Sequence, residues 1–207
     1  MIAKGGKGWV GSVLLVSAFF FILSLYWLSF LFLFIPFLCI SIFFLIFFRD
    51  PERTIGSGIV APADGKIRDI QQDNKTCFVS IFMEVNNVHV NRMPLDGIIK
   101  KMTHFPGYHF RAWKKESDYN ERVELEIDSS IGTVKVVQIA GLIARRIYPY
   151  ITKGDVLKKG DRIGIIRLGS RVDIYLPSSK VRSTVKIGDK VLAGKDTIAE
   201  FIKINQC

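Results

Sequence analysis

The segment from Ile165 to Pro177 has the sequence IIRLGSRVDIYLP, and it is the part of the chain that best indicates the fold. Apolar and β-branched residues on both sides of its centre favour β-strands. The centre is Gly169-Ser170, a residue without a Cβ followed by a small hydroxyl residue, so we expect two strands joined through this dipeptide. The pattern predicts a protein that is mainly β, with short helices.

The same dipeptide has a chemical possibility. The Ser170 hydroxyl follows the Gly169 carbonyl, which no side chain shields, and a base that removed its proton would allow it to attack its own peptide bond. The product would be a backbone ester. A Gly-Ser kink or bulge in a sheet is the simpler interpretation of the dipeptide alone. Partner residues elsewhere in the chain have to decide between the two.

The N-terminal fifty of the 207 residues are strongly apolar, with no charged residue between Trp9 and Phe48. Forty helical residues would span about 60 Å, roughly twice the hydrocarbon thickness of a bilayer. We therefore predict a membrane anchor over residues 1–50, with two transmembrane helices at about 9–27 and 29–48 that turn near Tyr26-Trp27. A single tilted or re-entrant segment, broken near Pro36, is the alternative.

Basic residues flank this apolar segment at both ends. Lys4 and Lys7 precede it and Arg49 follows it, and against Asp50 they leave +8 of the net charge of +10 on residues 51–207. The bias of Lys and Arg toward the cytoplasmic face predicts a protein of the cell (inner) membrane with its soluble domain on the cytoplasmic side. The basic domain is expected to contact anionic membrane lipids, whereas no motif of a nucleic-acid-binding module is present.

Residues 51–207 consist of short runs rich in Val and Ile, separated by Gly, Asp and Asn, which is typical of β structure with many turns. The segments 153–161 and 187–195 repeat one pattern, Gly-Asp followed by a valine and a second glycine. This pattern resembles the hammerhead β sandwich of lipoyl and biotinyl carrier domains. We expect strands at 58–61, 65–71, 76–83, 123–127, 133–140, 162–168 and 172–176, and a short helix at 142–148.

Candidate partners for Ser170 are few. Asp64 lies in the turn sequence Pro62-Ala63-Asp64-Gly65, where it is most simply a turn former, and His89 lies between two valines, where a packed histidine is the ordinary interpretation. The three cysteines, at positions 39, 77 and 207, have neither metal-ligand nor disulfide spacing, so we expect free thiols and no metal.

Taken in order, these segments resemble the phosphatidylserine decarboxylase family in its short form. The matching fragments are 47–53, Ala61 to Ile67, Val88 to Pro94, Asn120-Glu121-Arg122, Gln138 to Gly141, and Leu168 to Asp173. Each fragment is weak alone, but their number and order are specific.

The resemblance implies a domain over 51–207 that cleaves itself between Gly169 and Ser170. Ser170 would attack the Gly169 carbonyl with His89 as general base and Asp64 orienting the imidazole, and β-elimination would leave a pyruvoyl group at position 170. The fragments 1–169 and 170–207 would remain partners. The pyruvoyl carbonyl would form a Schiff base with phosphatidylserine, and His89 would donate the proton that follows loss of carbon dioxide.

The chain departs from this family at one position, since some members carry a second histidine where this chain has Arg92. His89 is therefore expected to serve both processing and decarboxylation, while His104 and His109 are expected to be ordinary loop residues. Two alternatives remain: a membrane-tethered lipoyl-like adaptor or carrier without catalysis, and a decarboxylase of an ether-linked serine phospholipid. The sequence leaves the oligomeric state open, a homo-oligomer included.

Overall fold

The computed structural model describes residues 1–107, 120–141, 146–167 and 170–202. The chain forms two compact units, Met1–Glu52 and Arg53–Cys207. The assignment of residues 1–50 as an anchor and of 51–207 as a decarboxylase domain stays a prediction, because compactness alone does not define what a unit does.

The first unit is a pair of apolar helices, α1 (Lys7–Tyr26) and α2 (Leu31–Phe47), joined by a single 3₁₀ turn at Leu28–Phe30. The break comes at Trp27, whose backbone is extended. With the 3₁₀ turn included, the spans Lys7–Tyr26 and Leu28–Phe47 are each 20 residues long and apolar enough to cross a membrane. The predicted pair of helices is therefore confirmed, with ends shifted by one or two residues.

The two helices pack as an antiparallel hairpin. Aromatic rings of the two helices are in contact, with 6.3 Å between the centroids of Trp9, near the start of α1, and Phe44, near the end of α2. Further along, the centroids of Phe20 on α1 and Phe37 on α2 are 5.3 Å apart. Helix α2 runs unbroken through Pro36, so the alternative of one segment broken at this proline is wrong.

Both ends of the hairpin lie on the same side. The amide of Ala3 donates to the Phe48 carbonyl at 2.8 Å, and the amide of Asp50 donates to the Met1 carbonyl at 2.8 Å. These bonds require the residues before α1 and after α2 to be adjacent, as expected for two crossings.

The second unit is built from antiparallel β-strands in three sheets. Its fourteen described strands are β1 (Ile59–Val60), β2 (Gly65–Gln72), β3 (Thr76–Met83), β4 (Val90–Arg92), β5 (Gly97–Phe105), β6 (Arg122–Ser129), β7 (Gly132–Ile139), β8 (Ile147–Pro149), β9 (Val156–Leu157), β10 (Arg162–Ile166), β11 (Ser170–Pro177), β12 (Val181–Ser183), β13 (Lys190–Val191) and β14 (Thr197–Phe201). The largest sheet has eight strands in the order β13-β2-β3-β11-β7-β6-β5-β9, and two three-stranded sheets have the orders β1-β14-β12 and β4-β10-β8. The sheets are open, consistent with the predicted β sandwich.

Strand β11, the second half of the Ile165–Pro177 segment, lies in the middle of the large sheet between β3 and β7. Its side chains at Ser170, Val172, Ile174 and Leu176 are buried, and the aliphatic ones belong to the main hydrophobic cluster. The alternation gives this strand one face toward the core, as the period of two requires. Ser170 lies at the start of that face.

All seven strands predicted from the sequence are present, within a few residues of the expected ends. The predicted helix at 142–148 is wrong where it can be judged: residues 142–145 lie outside the described part, and Ile147–Pro149 is strand β8. The other seven described strands were not predicted, and six of them have five residues or fewer. The seventh, β5, has nine residues, and its register shifts between Ile99 and Lys101, where the apolar residues do not alternate.

The repeated Gly-Asp segments form equivalent turns. The Asp155 carboxylate accepts from the Thr152 amide and the Asp189 carboxylate accepts from the Lys186 amide, each at 2.8 Å. In both turns the glycine before the aspartate has a positive φ, 95° and 100°, which a residue without Cβ adopts most easily. The strands that follow, β9 and β13, form the two opposite edges of the large sheet.

Candidate active site

Ser170 is fully buried at the first position of β11. It is paired with Met83, the last residue of β3, and its hydroxyl donates to the Met83 sulfur at 3.1 Å. A thioether is a weak acceptor, so this contact places the hydroxyl without binding it firmly. Gly169, the other half of the predicted cleavage site, lies outside the described residues.

His89 is fully buried immediately before β4. Its carbonyl accepts from the amide of Ile166 at 3.2 Å, and Ile166 ends β10, the strand that leads toward Ser170. Its Nδ1 lies 2.9 Å from the carbonyl oxygen of Asn87. A carbonyl only accepts, so Nδ1 carries the proton, and in the neutral ring Nε2 is the nitrogen with the lone pair. This tautomer leaves the lone pair on Nε2 free to accept a proton, as a general base has to.

Asp64 is buried in the turn after β1 and is held by a cation. Arg53 makes two hydrogen bonds to its carboxylate, at 2.5 and 2.7 Å, and the amide of Ala193 adds a third at 2.8 Å. A bidentate arginine contact of this kind neutralises the charge of the carboxylate and fixes the orientation of its plane. The turn also contacts β4, since the Arg92 amide donates to the Pro62 carbonyl at 2.8 Å.

The structure thus places the three predicted residues on neighbouring elements, but the hydrogen bonds described for them have other partners. Asp64 binds Arg53 and Ala193, and the acceptor at Nδ1 of His89 is Asn87. The role of Asp64 in orienting the imidazole therefore stays a prediction.

Three further residues at Ser170 were not anticipated: Met83, Asn91 and Gln138. All are fully buried, and Asn91 lies within 3.6 Å of the Met83 sulfur. A sequence signal existed for Asn91, which is two residues after His89 in an extended segment and so is expected on the same face. Gln138 stands out as a polar residue within the apolar strand β7.

The remaining histidines and Arg92 have other surroundings. His104 is exposed and its Nε2 lies 3.0 Å from the Glu121 carboxylate, consistent with an ordinary surface residue, while His109 lies outside the described residues. Arg92, at the position of the second histidine, is buried and donates to the Gly160 carbonyl at 3.1 Å.

A cleft of about 340 Å³ lies beside Asn87, the residue that holds His89. Its lining includes Gly65, next to Asp64, and two lysines, Lys66 and Lys190, which pair across β2 and β13. Like charges placed opposite each other repel, and an anion between them would relieve that repulsion. Glu84 and Asp196 line the same cleft, so its formal charges balance, and it suits a small polar molecule that carries charges of both signs.

Three groups away from Ser170 have shifted pKa values, and the first is Asp73, whose pKa is lowered by hydrogen bonds from the amides of Lys75 and Thr76. Burial raises the pKa of the Cys77 thiol. Burial also acts to raise the pKa of Glu124, but hydrogen bonds from Lys135 and Arg122 outweigh it, so this pKa lies below its ordinary value. Within the described ranges, no three His, Cys, Asp or Glu side chains gather as a metal site requires, and a metal-free site remains a prediction.

Comparison with known proteins gives consistent matches. A family model described as phosphatidylserine decarboxylase matches residues 40–199. A phosphatidylserine decarboxylase proenzyme of Streptomyces avermitilis is 50% identical over 151 residues, covering 72% of this chain and 69% of the relative. A protein of Methanosarcina acetivorans, provisionally named an archaetidylserine decarboxylase proenzyme, is 44% identical over 210 residues and 96% of both chains.

Proposed function

The chain belongs to the phosphatidylserine decarboxylase family, and we propose that it removes carbon dioxide from the serine head group of a phospholipid by means of a carbonyl group made from its own Ser170. It is a decarboxylase, that is, a carboxy-lyase. The alternative of an adaptor or carrier without catalysis has no support, because the family model covers most of the domain and the relatives are named as decarboxylases.

Self-cleavage is the first step of the proposal, and the relatives' description as proenzymes supports it. The Ser170 oxygen attacks the Gly169 carbonyl carbon while Nε2 of His89 takes the hydroxyl proton. The peptide C–N bond then breaks as this proton passes to the Ser170 nitrogen, which leaves an ester and a free amine. Loss of the Ser170 α-proton then expels the Gly169 carboxylate. Water replaces the nitrogen of the resulting dehydroalanine, ammonia leaves, and residue 170 becomes an α-keto acyl group.

The observation that carries this step is the burial of Ser170 at the start of a central strand, with His89 in the required tautomer on an adjacent element. Burial excludes water, which would otherwise compete with the hydroxyl for the carbonyl. The backbone hydrogen bond from the Ile166 amide to the His89 carbonyl holds the proposed base beside β10, the strand that precedes the cleavage site. Asp64 is proposed to act as a positioning group through the turn that contacts β4.

Position 170 is fully buried beside the Met83 thioether, an environment that suits an uncharged α-keto group. Such a group, when present, supplies an electrophile for the substrate amine and an electron sink for the electron pair left on the α-carbon when carbon dioxide departs. His89 would hold the proton that replaces carbon dioxide. The lysines of the neighbouring cleft, Lys66 and Lys190, are proposed to bind the phosphate of the head group, because they supply the positive charge of a cleft to which Glu84 and Asp196 add negative charge.

The substrate is proposed to be phosphatidylserine, with an ether-linked serine lipid as the second candidate. The Methanosarcina relative supports the second, because it matches nearly the whole of this chain and its name refers to archaetidylserine. Competition between diacyl and dialkyl serine lipids in mixed vesicles would decide: the preferred lipid should inhibit turnover of the other.

The two apolar helices are proposed to anchor the enzyme in the cell (inner) membrane with the catalytic domain on the cytoplasmic side, where anionic lipids meet a basic domain. The two fragments 1–169 and 170–207 are proposed to stay together as partners. An anchor of this kind confines the search for a lipid substrate to the bilayer surface.

Denaturing electrophoresis and mass spectrometry of the purified chain test the proposal. We expect two fragments, with the smaller beginning at a blocked residue 170. Ser170→Ala should leave one intact chain, and His89→Ala or Asp64→Asn should slow cleavage at least tenfold. Ser178→Ala, a serine just beyond the other end of β11, is the matched control and should cleave normally. An intact wild-type chain with full activity would refute the proposal.

A further inference from the structure

A buried pair of amide side chains lies next to Ser170. Nε2 of Gln138, on β7, donates to Oδ1 of Asn91, on β4, at 2.7 Å, and Nδ2 of Asn91 lies 3.6 Å from the Met83 sulfur. The same sulfur accepts from the Ser170 hydroxyl at 3.1 Å. Asn91 and Ser170 are therefore neighbours that share one weak acceptor.

The sulfur fixes which way the Asn91 amide points. A thioether accepts hydrogen bonds and does not donate them, so the NH₂ group has to face Met83 and the oxygen has to face Gln138. The amide of Gln138 lies close to Gly164, where an added Cβ would come within 3.2 Å of Nε2. Gly164 is paired with Asn91 across β10 and β4, so a residue without a side chain leaves room for this amide pair.

The pair is incompletely satisfied for a site with no access to water. Nδ2 of Asn91 faces a thioether, and Oε1 of Gln138 has no hydrogen-bond partner in the described part of the chain. Buried amide groups that lack good partners destabilise a fold, because they lose their hydrogen bonds to water without replacing them. A sandwich core would be more stable with apolar residues at both positions, which indicates that the amides have a use at this site.

Ser170 needs a donor that its present partner cannot supply. When the hydroxyl loses its proton, negative charge develops on Oγ, and the Met83 sulfur cannot stabilise it with a hydrogen bond. Asn91 Nδ2 carries two hydrogens and already lies at the same sulfur. The Met83 side chain is flexible enough to move from between the two groups.

We propose that Asn91 is the hydrogen-bond donor to the oxygen carried at position 170, and that Gln138 is a positioning residue which holds the Asn91 amide in the required orientation. The inference rests on the proposed self-cleavage and extends it. The Asn91 donor stabilises the alkoxide character of Ser170 while His89 takes the proton and the new C–O bond forms.

The test measures self-cleavage of the full chain in detergent, followed on denaturing gels with and without hydroxylamine, which splits a backbone ester. Asn91→Leu should slow both the spontaneous and the hydroxylamine-induced cleavage about 100-fold, which is near the upper end of what loss of one hydrogen bond to a charged oxygen produces. Gln138→Leu should slow both about tenfold. The double variant should be no slower than Asn91→Leu within about twofold, since Gln138 acts through Asn91.

Two further variants guard against a loss of fold. Asn91→Asp keeps the size and the acceptor for Gln138 but removes the NH₂ donor, so it should also fail to form the ester while retaining a cooperative thermal transition. Ser80→Ala is the control: it removes the buried 2.7 Å hydrogen bond from Ser80, on β3, to Asp173, on β11, and the variant should cleave at the wild-type rate.

The outcomes separate this inference from the function on which it rests. Normal cleavage of Asn91→Leu, or effects of the two substitutions that multiply in the double variant, would overturn the roles of Asn91 and Gln138 alone. A variant that accumulates a hydroxylamine-sensitive ester would also overturn them, because the ester would then form without the donor. A wild-type chain that never cleaves would overturn self-cleavage itself.

Discussion

The proposed cleavage before Ser170 would leave residues 170–207 attached by noncovalent contacts alone, and we predict that the fragments stay associated under native conditions. In its described part, 170–202, the smaller fragment places six large aliphatic side chains at 3% exposure or less: Val172, Ile174, Leu176, Val181, Val191 and Ile198. Burial of such a side chain contributes about 1.5–3 kcal/mol, which gives roughly 9–18 kcal/mol in all as an upper estimate.

The position of β11 adds a kinetic reason. It is hydrogen-bonded to β3 on one side and to β7 on the other, so the fragment cannot leave without opening the large sheet in the middle. The smaller fragment also supplies β14, which lies between β1 and β12, and β13, which pairs with β2. Release therefore requires unfolding of much of the domain.

The assay is size-exclusion chromatography in mild detergent of the cleaved chain carrying a tag on residue 1. Both fragments should elute together at nanomolar concentration and separate only in denaturant. Ile174→Ala, at a fully buried site opposite Val79 and Val136, should lower the free energy of unfolding by about 2–5 kcal/mol. Ile187→Ala, 64% exposed, is the control and should change it by less than about 0.5 kcal/mol. Loss of the small fragment on a native column would show that this account of the interface is wrong.

Three further predictions concern stability and thiol chemistry. Arg53→Met leaves the buried Asp64 carboxylate without its cation and should destabilise the chain by about 3–5 kcal/mol in denaturant titration. Arg53→Met combined with Asp64→Leu removes both charges and should recover part of that stability. A double variant as unstable as Arg53→Met alone would contradict this account of the ion pair. The folded pKa of Glu124 lies below its ordinary value of 4.5, so the stability that this carboxylate contributes is complete above about pH 4.5 and is lost as the pH falls through the folded pKa. Glu124→Gln should therefore make the unfolding temperature less dependent on pH on the acid side. The same pH dependence in the variant and the wild type would contradict this contribution. Because burial raises the pKa of Cys77, iodoacetamide should modify this thiol only after unfolding, and rapid labelling of the native chain would contradict its burial.

The sequence was sufficient where local pattern and physical chemistry agree. The length and apolar character of residues 9–48 specified two helices, and the structure breaks them at Trp27, where the sequence indicated the turn. The repeated Gly-Asp segments predicted turns because a positive φ and a carboxylate acceptor are properties of those residues themselves. Strand β5 escaped prediction because its bulge depends on its partner strand.

In the candidate site, too, local patterns were predictable from the sequence and contacts between distant segments were not. Ser170, His89 and Asp64 were identified as candidates by their sequence motifs and by resemblance to a family, without knowledge of their neighbours. The binding of Asp64 by Arg53, and the contact of Ser170 with Met83, depended on pairings between distant segments that no local pattern specifies.

The sequence by itself determined the pair of apolar helices and the β-rich domain, and it indicated the Gly169-Ser170 bond as the candidate place of chemistry, because helix length, residue periodicity and glycine sterics act over a few neighbouring residues. Only the tertiary structure decided which groups surround the Ser170 hydroxyl. Asn91 and Gln138 meet because β4, paired with β10 in one sheet, and β7, paired with β11 in another, bring the two amides together. A shift of either register by a single residue would turn the amide on that strand to the opposite face.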